Sequence, residues 1–188
     1  MERMSQQREV IIVAYVPAWA ARFREEASRI ASVFGGELLS IHHIGSTSVP
    51  GMSAKPIVDI MPVVRDISKV ETFNEGMIQL GYTPMGEYGI KGRRYFVKGA
   101  AVRTHHVHSY QPDNPEVNGH LDFRDYLIAH EDEAGQYAKL KTSLAAQHRY
   151  DMEAYTQGKA AFIKGVLANA RTWRLRSGGQ VYSGFFTR

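Results

Sequence analysis

The stretch from His43 to Ile60, HIGSTSVPGMSAKPIVDI, constrains the fold more than any other part of the chain. An apolar β-type run ends at Ile44, Gly45-Ser46 follows at once, and a loop of small residues with two prolines leads into a second apolar run. A glycine directly after a strand lets the backbone come close to another group. Exposed N–H groups and a serine hydroxyl in such a turn form a cradle for an anion. The second run carries Asp59 among Ile57, Val58, Ile60 and Met61. A lone carboxylate in a buried strand is costly unless it is paired, hydrogen-bonded or bound to metal. The plain account is a tight turn and a salt bridge to Lys55, Arg93 or Arg94. The functional account is a phosphate loop beside a metal-binding aspartate.

The flanking pattern sets an α/β (α+β) class. EVIIVAY (9–15) reads as a first strand. A helix follows, with Trp19, Phe23, Ala27, Ile30 and Phe34 at helical spacing, Pro17 in its first turn and Gly35-Gly36 as its stop. ELLSIHHI (37–44) and KPIVDIMPVV (55–64) are strands, and Val70, Phe73, Met77 and Leu80 make a second helical stripe. RRYFV and THHVHSY predict a hairpin, and QPDNPEVNG (111–119) reads as a loop. From His120 the chain turns helical: Tyr137, Leu140 and Leu144 share one stripe, and Tyr155, Phe162, Val166 and Ala170 another. The expected order is β-α-β-β-α-β-β and then two or three helices, a small mixed sheet with helices packed on it and a helical C-terminal half.

With 188 residues, a single domain over 1–188 is expected: a core at about 10–112, helices at about 118–173 and an irregular basic tail at 174–188. The absence of cysteine excludes disulfides, thiolate catalysis and Cys-based zinc sites. No apolar run is long enough to span a bilayer, and MERMSQQREVIIV lacks the pattern of a secretory signal, so the expected compartment is the cytoplasm. The net charge of +4 is spread among acids except after Arg171, where Arg174, Arg176 and Arg188 stand without one. Such a tail can contact phosphates, but a short basic end is more often solvated, and nucleic acid is not the expected partner.

HIGSTSVPGMSAKPIVDI, GIKGRRYF, HHVHSY, FRDYLIAH and YTQGKAAFI together resemble the GrpB family (UPF0157), from about Val13 to Ile163. That family is classed within the nucleotidyltransferase superfamily, whose motif is Gly-Ser, a spacer, then a strand reading Asp, hydrophobic, Asp or Glu. Gly45 and Ser46, twelve intervening residues, and Asp59-Ile60 match it. The resemblance implies a nucleotidyltransferase-type sheet and a nucleotide or other phosphorylated ligand on Gly45, Ser46, Thr47, Lys55 and Arg94. It also implies a divalent metal (Mg, Mn or Zn) on the catalytic residue Asp59. Members are also labelled as accessory domains of dephospho-CoA kinase, which implies the alternative of a catalytically reduced ligand-binding module for a coenzyme A-pathway kinase.

Position 61 departs from the motif. Residues 59 and 61 share a strand face, and a thioether does not replace a carboxylate on Mg²⁺. Other ligands are therefore required for metal chemistry. His106 and His108 alternate on one strand face, and His43 and Glu87 stand near in sequence to the loop and the hairpin. Histidine with carboxylate suits Zn²⁺, Mn²⁺, Fe²⁺ or Ni²⁺ better than Mg²⁺. For any single histidine a solvent-facing or core imidazole is the commoner role. Of Arg93 and Arg94, at most one faces the site, because neighbours in a strand point opposite ways. Thr47 and Ser48 suit a role in holding the loop's shape. Arg124, Asp125 and Lys159 suit ion pairs that tie helices to the sheet; the functional alternative is that they close over a substrate in the groove between helices and sheet.

Overall fold

The computed structural model describes residues 8–176. A five-stranded mixed sheet runs in the order β1-β2-β5-β4-β3. Its strands are β1 (Leu38–Ile44), β2 (Val58–Val64), β3 (Tyr82–Pro84), β4 (Arg94–Lys98) and β5 (His105–Ser109). The β2–β5 pair is parallel and the other three pairs are antiparallel.

Alternation along the strands divides the side chains between two layers. On one face Ile41, Val58, Ile60, Val64, Phe96 and Val107 pack against α1 (Ala18–Phe34), which brings Trp19, Phe23, Ala27, Ile30 and Phe34 down as one buried stripe. Each large apolar side chain so buried stabilises the fold by about 1.5–3 kcal/mol. Val70 and Met77, the latter from α2 (Asn74–Gln79), close the end of this layer. On the other face Ile44, Met61, Val63 and Tyr110 pack against Val117 and Leu121 of α3 (Pro115–Ala129). Three more helices, α4 (Glu131–Gln147), α5 (Met152–Gly158) and α6 (Ala160–Arg176), complete that side. No helix among the described residues is long and apolar enough to cross a membrane.

Four expectations are corrected. EVIIVAY forms no strand: Val13 makes one isolated bridge to Ala54, and Val10 packs beside Leu144 and Tyr155. One outer place of the sheet is taken by Tyr82–Pro84, a short strand inside a glycine-rich stretch. PEVNG is the opening of α3, not loop. The Asn114 side chain accepts from the Glu116 N–H at 3.0 Å and Pro115 stands in the first turn, so the residues that read as loop are a helix cap. Four helices, not two or three, follow the sheet in the described residues. The predicted tail overlaps the last turn of α6, where Arg174 pairs with Asp122; the remainder, 177–188, lies outside the described residues.

Candidate functional site

Gly45 ends β1 beside Asp59, because the register pairs Ile44 with Asp59. It holds φ at 70°, and a Cβ there would stand 2.7 Å from the Asp59 Oδ2. Glycine is therefore required twice over, by conformation and by space. The next residues form a tight turn, Ser46–Ser48, whose shape is fixed from inside: Ser48 Oγ donates to the Gly45 carbonyl at 2.5 Å, and buried Thr47 shares a 3.0 Å hydrogen bond with His43 Nε2. Val49 and Met52 then plug the loop into the apolar cluster of α3, α4 and α6. Thr47 and Ser48 thus hold the loop, as their residue types suggested, while Gly45 and Ser46 face a cavity of about 410 Å³.

Asp59 lies on the wall of that cavity, with its side chain 27% exposed. The parallel register sets His106 opposite it, and alternation puts His108 on the same face. His106 Nδ1 lies 3.2 Å and His108 Nε2 3.4 Å from Asp59 Oδ1. Burial alone would raise the Asp59 carboxyl, but the hydrogen bonds and charge of the two histidines outweigh it and hold the group far below the usual carboxylate range. Burial lowers His108, against the pull of Asp59. Arg93 Nη1 approaches His108 Nδ1 at 3.5 Å. Behind it, His120 of α3 lies 5.8 Å from the His108 ring; burial first, and then His108, bring its pKa down to about 4.

Asp59, His106 and His108 each offer one ligand atom, and the three atoms lie within 4.8 Å of one another. Two imidazole nitrogens and one carboxylate oxygen suit Zn²⁺, Mn²⁺ or Fe²⁺. An ionised aspartate and a neutral histidine are the forms that ligation requires. The donor set therefore fits one such ion. It does not fit the two-carboxylate clamp for Mg²⁺, because Met61 is fully buried against Val117 and Leu121.

Several predicted site residues stand elsewhere. His43 lies on the opposite sheet face, stacked on Phe23 at 4.8 Å, and burial holds its pKa near 4. Glu87 is half-exposed on the loop before β4, where Oε1 accepts from the Gly92 N–H at 2.7 Å. Arg94 points to the far face and pairs with Glu71 at 2.8 Å. Of the two arginines it is Arg93 that turns to the Asp59 side, lying 4.5 Å over the Tyr95 ring. Arg124 ties α3 to the sheet by a 3.1 Å hydrogen bond to the His43 carbonyl, while its 2.7 Å ion pair, with Asp125, lies within α3. Lys159 forms no ion pair among the described residues and lines the cavity.

The helical wall adds one residue outside the sequence-based expectations, Lys141, beside Lys55 and Lys159. Lys55, Lys141 and Lys159 meet in the cavity. Lys141 donates to the Ser53 carbonyl at 2.6 Å, Lys159 lies 4.4 Å over the Tyr155 ring, and Lys55 lies 5.6 Å over the same ring. None of the three is ion-paired to a carboxylate among the described residues. Burial, then Lys159 and Lys55, push Lys141 down to about 7; burial and Lys55, against Asp59, push Lys159 down to about 8. Burial also lowers Lys55, with Asp59 opposing. One signal was present: Lys141 falls between Tyr137 and Leu144 on the apolar stripe of α4, where a lysine has no ordinary reason to stand.

The GrpB protein family model matches residues 9–169. UPF0157 protein YqkA of Bacillus subtilis is 52% identical over 168 residues, covering 89% of this chain and 49% of that protein. A dephospho-CoA kinase of Mycolicibacterium paratuberculosis is 22% identical over 182 residues, covering 84% of this chain and 45% of the kinase. The chain thus spans about half the length of these two relatives. Among solved structures, conserved protein GrpB from Enterococcus faecalis superposes with a TM-score of 0.83 at 43% identity, covering 87% of this chain and 99% of that one. Terminal uridylyl transferase 4 from Trypanosoma brucei with bound dUTP gives a TM-score of 0.51 at 12% identity, over 88% of this chain and 55% of that one, and so shares the nucleotidyltransferase-type fold. With the family model running from the first bridge to α6, and the Gly-Ser loop, histidine strand and lysine-bearing helices all inside it, the chain belongs to the GrpB family.

Proposed function

We propose that the chain binds a nucleoside triphosphate, or a ligand with a similar phosphate chain, and transfers its nucleotidyl group to an acceptor hydroxyl with the help of one divalent metal. The observation that carries this reading is the convergence of the Gly45-Ser46 turn, the buried Lys141 with the partly buried Lys55 and Lys159, and the Asp59–His106–His108 cluster. Backbone N–H groups of the turn and the Ser46 hydroxyl would receive one phosphate. Lys55, Lys141 and Lys159 would neutralise the others, and an anion is what relieves the mutual repulsion of one buried and two partly buried ammonium groups.

Asp59, His106 and His108 would hold the metal, which when bound supplies Lewis-acid polarisation of a phosphoryl oxygen. The acceptor hydroxyl oxygen bonds to the α-phosphorus as the bond to the β-bridging oxygen breaks. Pyrophosphate leaves with that electron pair beside the lysines, and the hydroxyl proton passes to water. The test is pyrophosphate release from each of the four nucleoside triphosphates with Mg²⁺, Mn²⁺ or Zn²⁺, using the full chain and an Asp59→Asn variant. Release that needs metal and is lost in the variant supports transfer; release indifferent to Asp59 contradicts it.

A second reading is a ligand-binding accessory module that keeps the lysine cavity without chemistry. Met61 in the second carboxylate position favours it, as does the similarity to a dephospho-CoA kinase across 45% of that enzyme. Metal-independent triphosphate binding with no turnover, together with a change in the kinetics of such a kinase on mixing, would decide for this reading.

A further inference from the structure

A second cavity, of about 530 Å³, opens on the other side of the same wall. Lys55, Ile57 and His106 line both cavities, so the two meet beside Asp59. We propose that this second cavity is the acceptor site, and that it takes a small hydroxyl-bearing molecule with an apolar, ring-containing body and an anionic group. The name acceptor rests on the nucleotidyl-transfer reading; the ligand chemistry rests on the cavity itself.

The apolar body follows from the lining. Met85, Tyr88, Tyr95, Val97 and Val102 face the space, and the Tyr88 and Tyr95 rings stack at 5.5 Å with 27° between their planes. Of the six most exposed large hydrophobic side chains among the described residues, Ile11, Tyr88 and Val102 stand at this cavity. Such grouping marks a surface that a ligand covers, since single exposed apolar residues scatter. Tyr88 also holds a positive φ of 44°, a conformation that costs a non-glycine residue energy and recurs at ligand clamps.

The anionic group follows from the charges. Arg8, Lys55 and Arg103 line the cavity, against Glu9 alone, whose carboxylate is already held by Arg149 at 2.6 Å. Arg103 gives Nη1 to the Gly99 carbonyl at 2.6 Å, while its Nε is buried without a hydrogen-bond partner. A carboxylate or phosphate satisfies these donors; a cationic acceptor would meet repulsion. The volume lies in the range of small-molecule sites, roughly 300–1,000 Å³, and so favours a small acceptor over a polymer. In the transfer, the acceptor's hydroxyl oxygen reaches across the shared wall and bonds to the α-phosphorus, pyrophosphate departs with the electrons of the broken bond, and the hydroxyl proton goes to water.

Three probes with one ring separate the charge requirement: phloretate (anionic), its amide (neutral) and tyramine (cationic), titrated by calorimetry into the full chain without nucleotide. Phloretate should bind roughly tenfold more tightly than the amide, the worth of one charge-assisted hydrogen bond, and tyramine should not bind. Val102→Glu, at a side chain 73% exposed and so without cost to folding, should weaken phloretate about tenfold. Tyr88→Gly, which relieves the positive φ, should weaken it with no fall in melting temperature. Asp59→Asn should leave phloretate binding intact. Equal affinity of the three probes, or indifference to Val102→Glu, overturns the proposal. So does displacement of phloretate by triphosphate, which would place it in the lysine cavity, or by an RNA oligonucleotide, which would make the cavity a polymer site. A dimer that dissociates on Val102→Glu overturns it too, by giving the surface to a second copy. Phloretate binding without any nucleotide response removes the transfer reading and keeps the cavity's ligand; nucleotide response without phloretate binding removes only the acceptor site.

Discussion

Gly45 lies so close to Asp59 that a single added methyl would stand 2.7 Å from the carboxylate. Gly45→Ala should therefore destabilise the protein by roughly 1–3 kcal/mol, through the positive φ and the clash together. Chemical denaturation measures this directly. Lys141 predicts the opposite sign. Its ammonium is buried without a carboxylate, so Lys141→Met should raise stability by about 1–3 kcal/mol near pH 6.5 while weakening triphosphate binding. Because the folded-state pKa, about 7, lies below the unfolded value, the charged form costs the native state most at or below pH 7. That cost fades as pH rises toward the ordinary lysine range, and the advantage of the methionine variant should shrink with it.

At the scale of elements, the strands that build the site were legible and the helices that close it were less so. Alternation in THHVHSY gave the histidine pair, because a strand with one buried face shows its period of two in any sequence. EVIIVAY misled because β-propensity measures fit to a half-buried surface, which an irregular segment lying over α4 and α5 also supplies. Asn114-Pro115-Glu116 read as loop because the same residue types serve turns and helix caps. Asn114→Ala should accordingly cost about 1 kcal/mol, a cap's worth, measured by thermal or chemical unfolding. Lys141 was legible only as a lysine on an apolar stripe, because only tertiary packing brings α4 and the α5–α6 junction over a loop far away in sequence. Glu87, Arg94 and His43 failed for a related reason: nearness along the chain does not fix the sheet face. Met61 is an element-level residue as well. It joins β2 to α3, so Met61→Asp would bury a carboxylate in that layer and should cost roughly 3–5 kcal/mol without restoring a metal ligand.

For the whole molecule, the sheet supplies one wall and the helical half the other, and the charge between them is set by pH. Anion binding needs Lys141 and Lys159 protonated, and their pKa values in the free protein are about 7 and about 8. Stabilisation by a bound triphosphate should therefore decline as pH rises from 6.5 to 9, and the melting-temperature increment at fixed ligand concentration reads it. Deprotonation of these lysines relieves a cost in the free protein at the same time, so the free and liganded curves should converge.

In the proposed site, one triphosphate and one metal share the space between the lysines and Asp59. Calorimetric titration of nucleoside triphosphate with Mn²⁺ present and absent, into the parent chain, Asp59→Asn and a Lys141→Met, Lys159→Met double variant, tests it most directly. Mn²⁺ should tighten binding in the parent at least about tenfold, Asp59→Asn should remove this gain while keeping the metal-free affinity, and the lysine variant should lose binding in both conditions. Affinity that Mn²⁺ leaves unchanged in the parent, or that survives loss of both lysines, would contradict it.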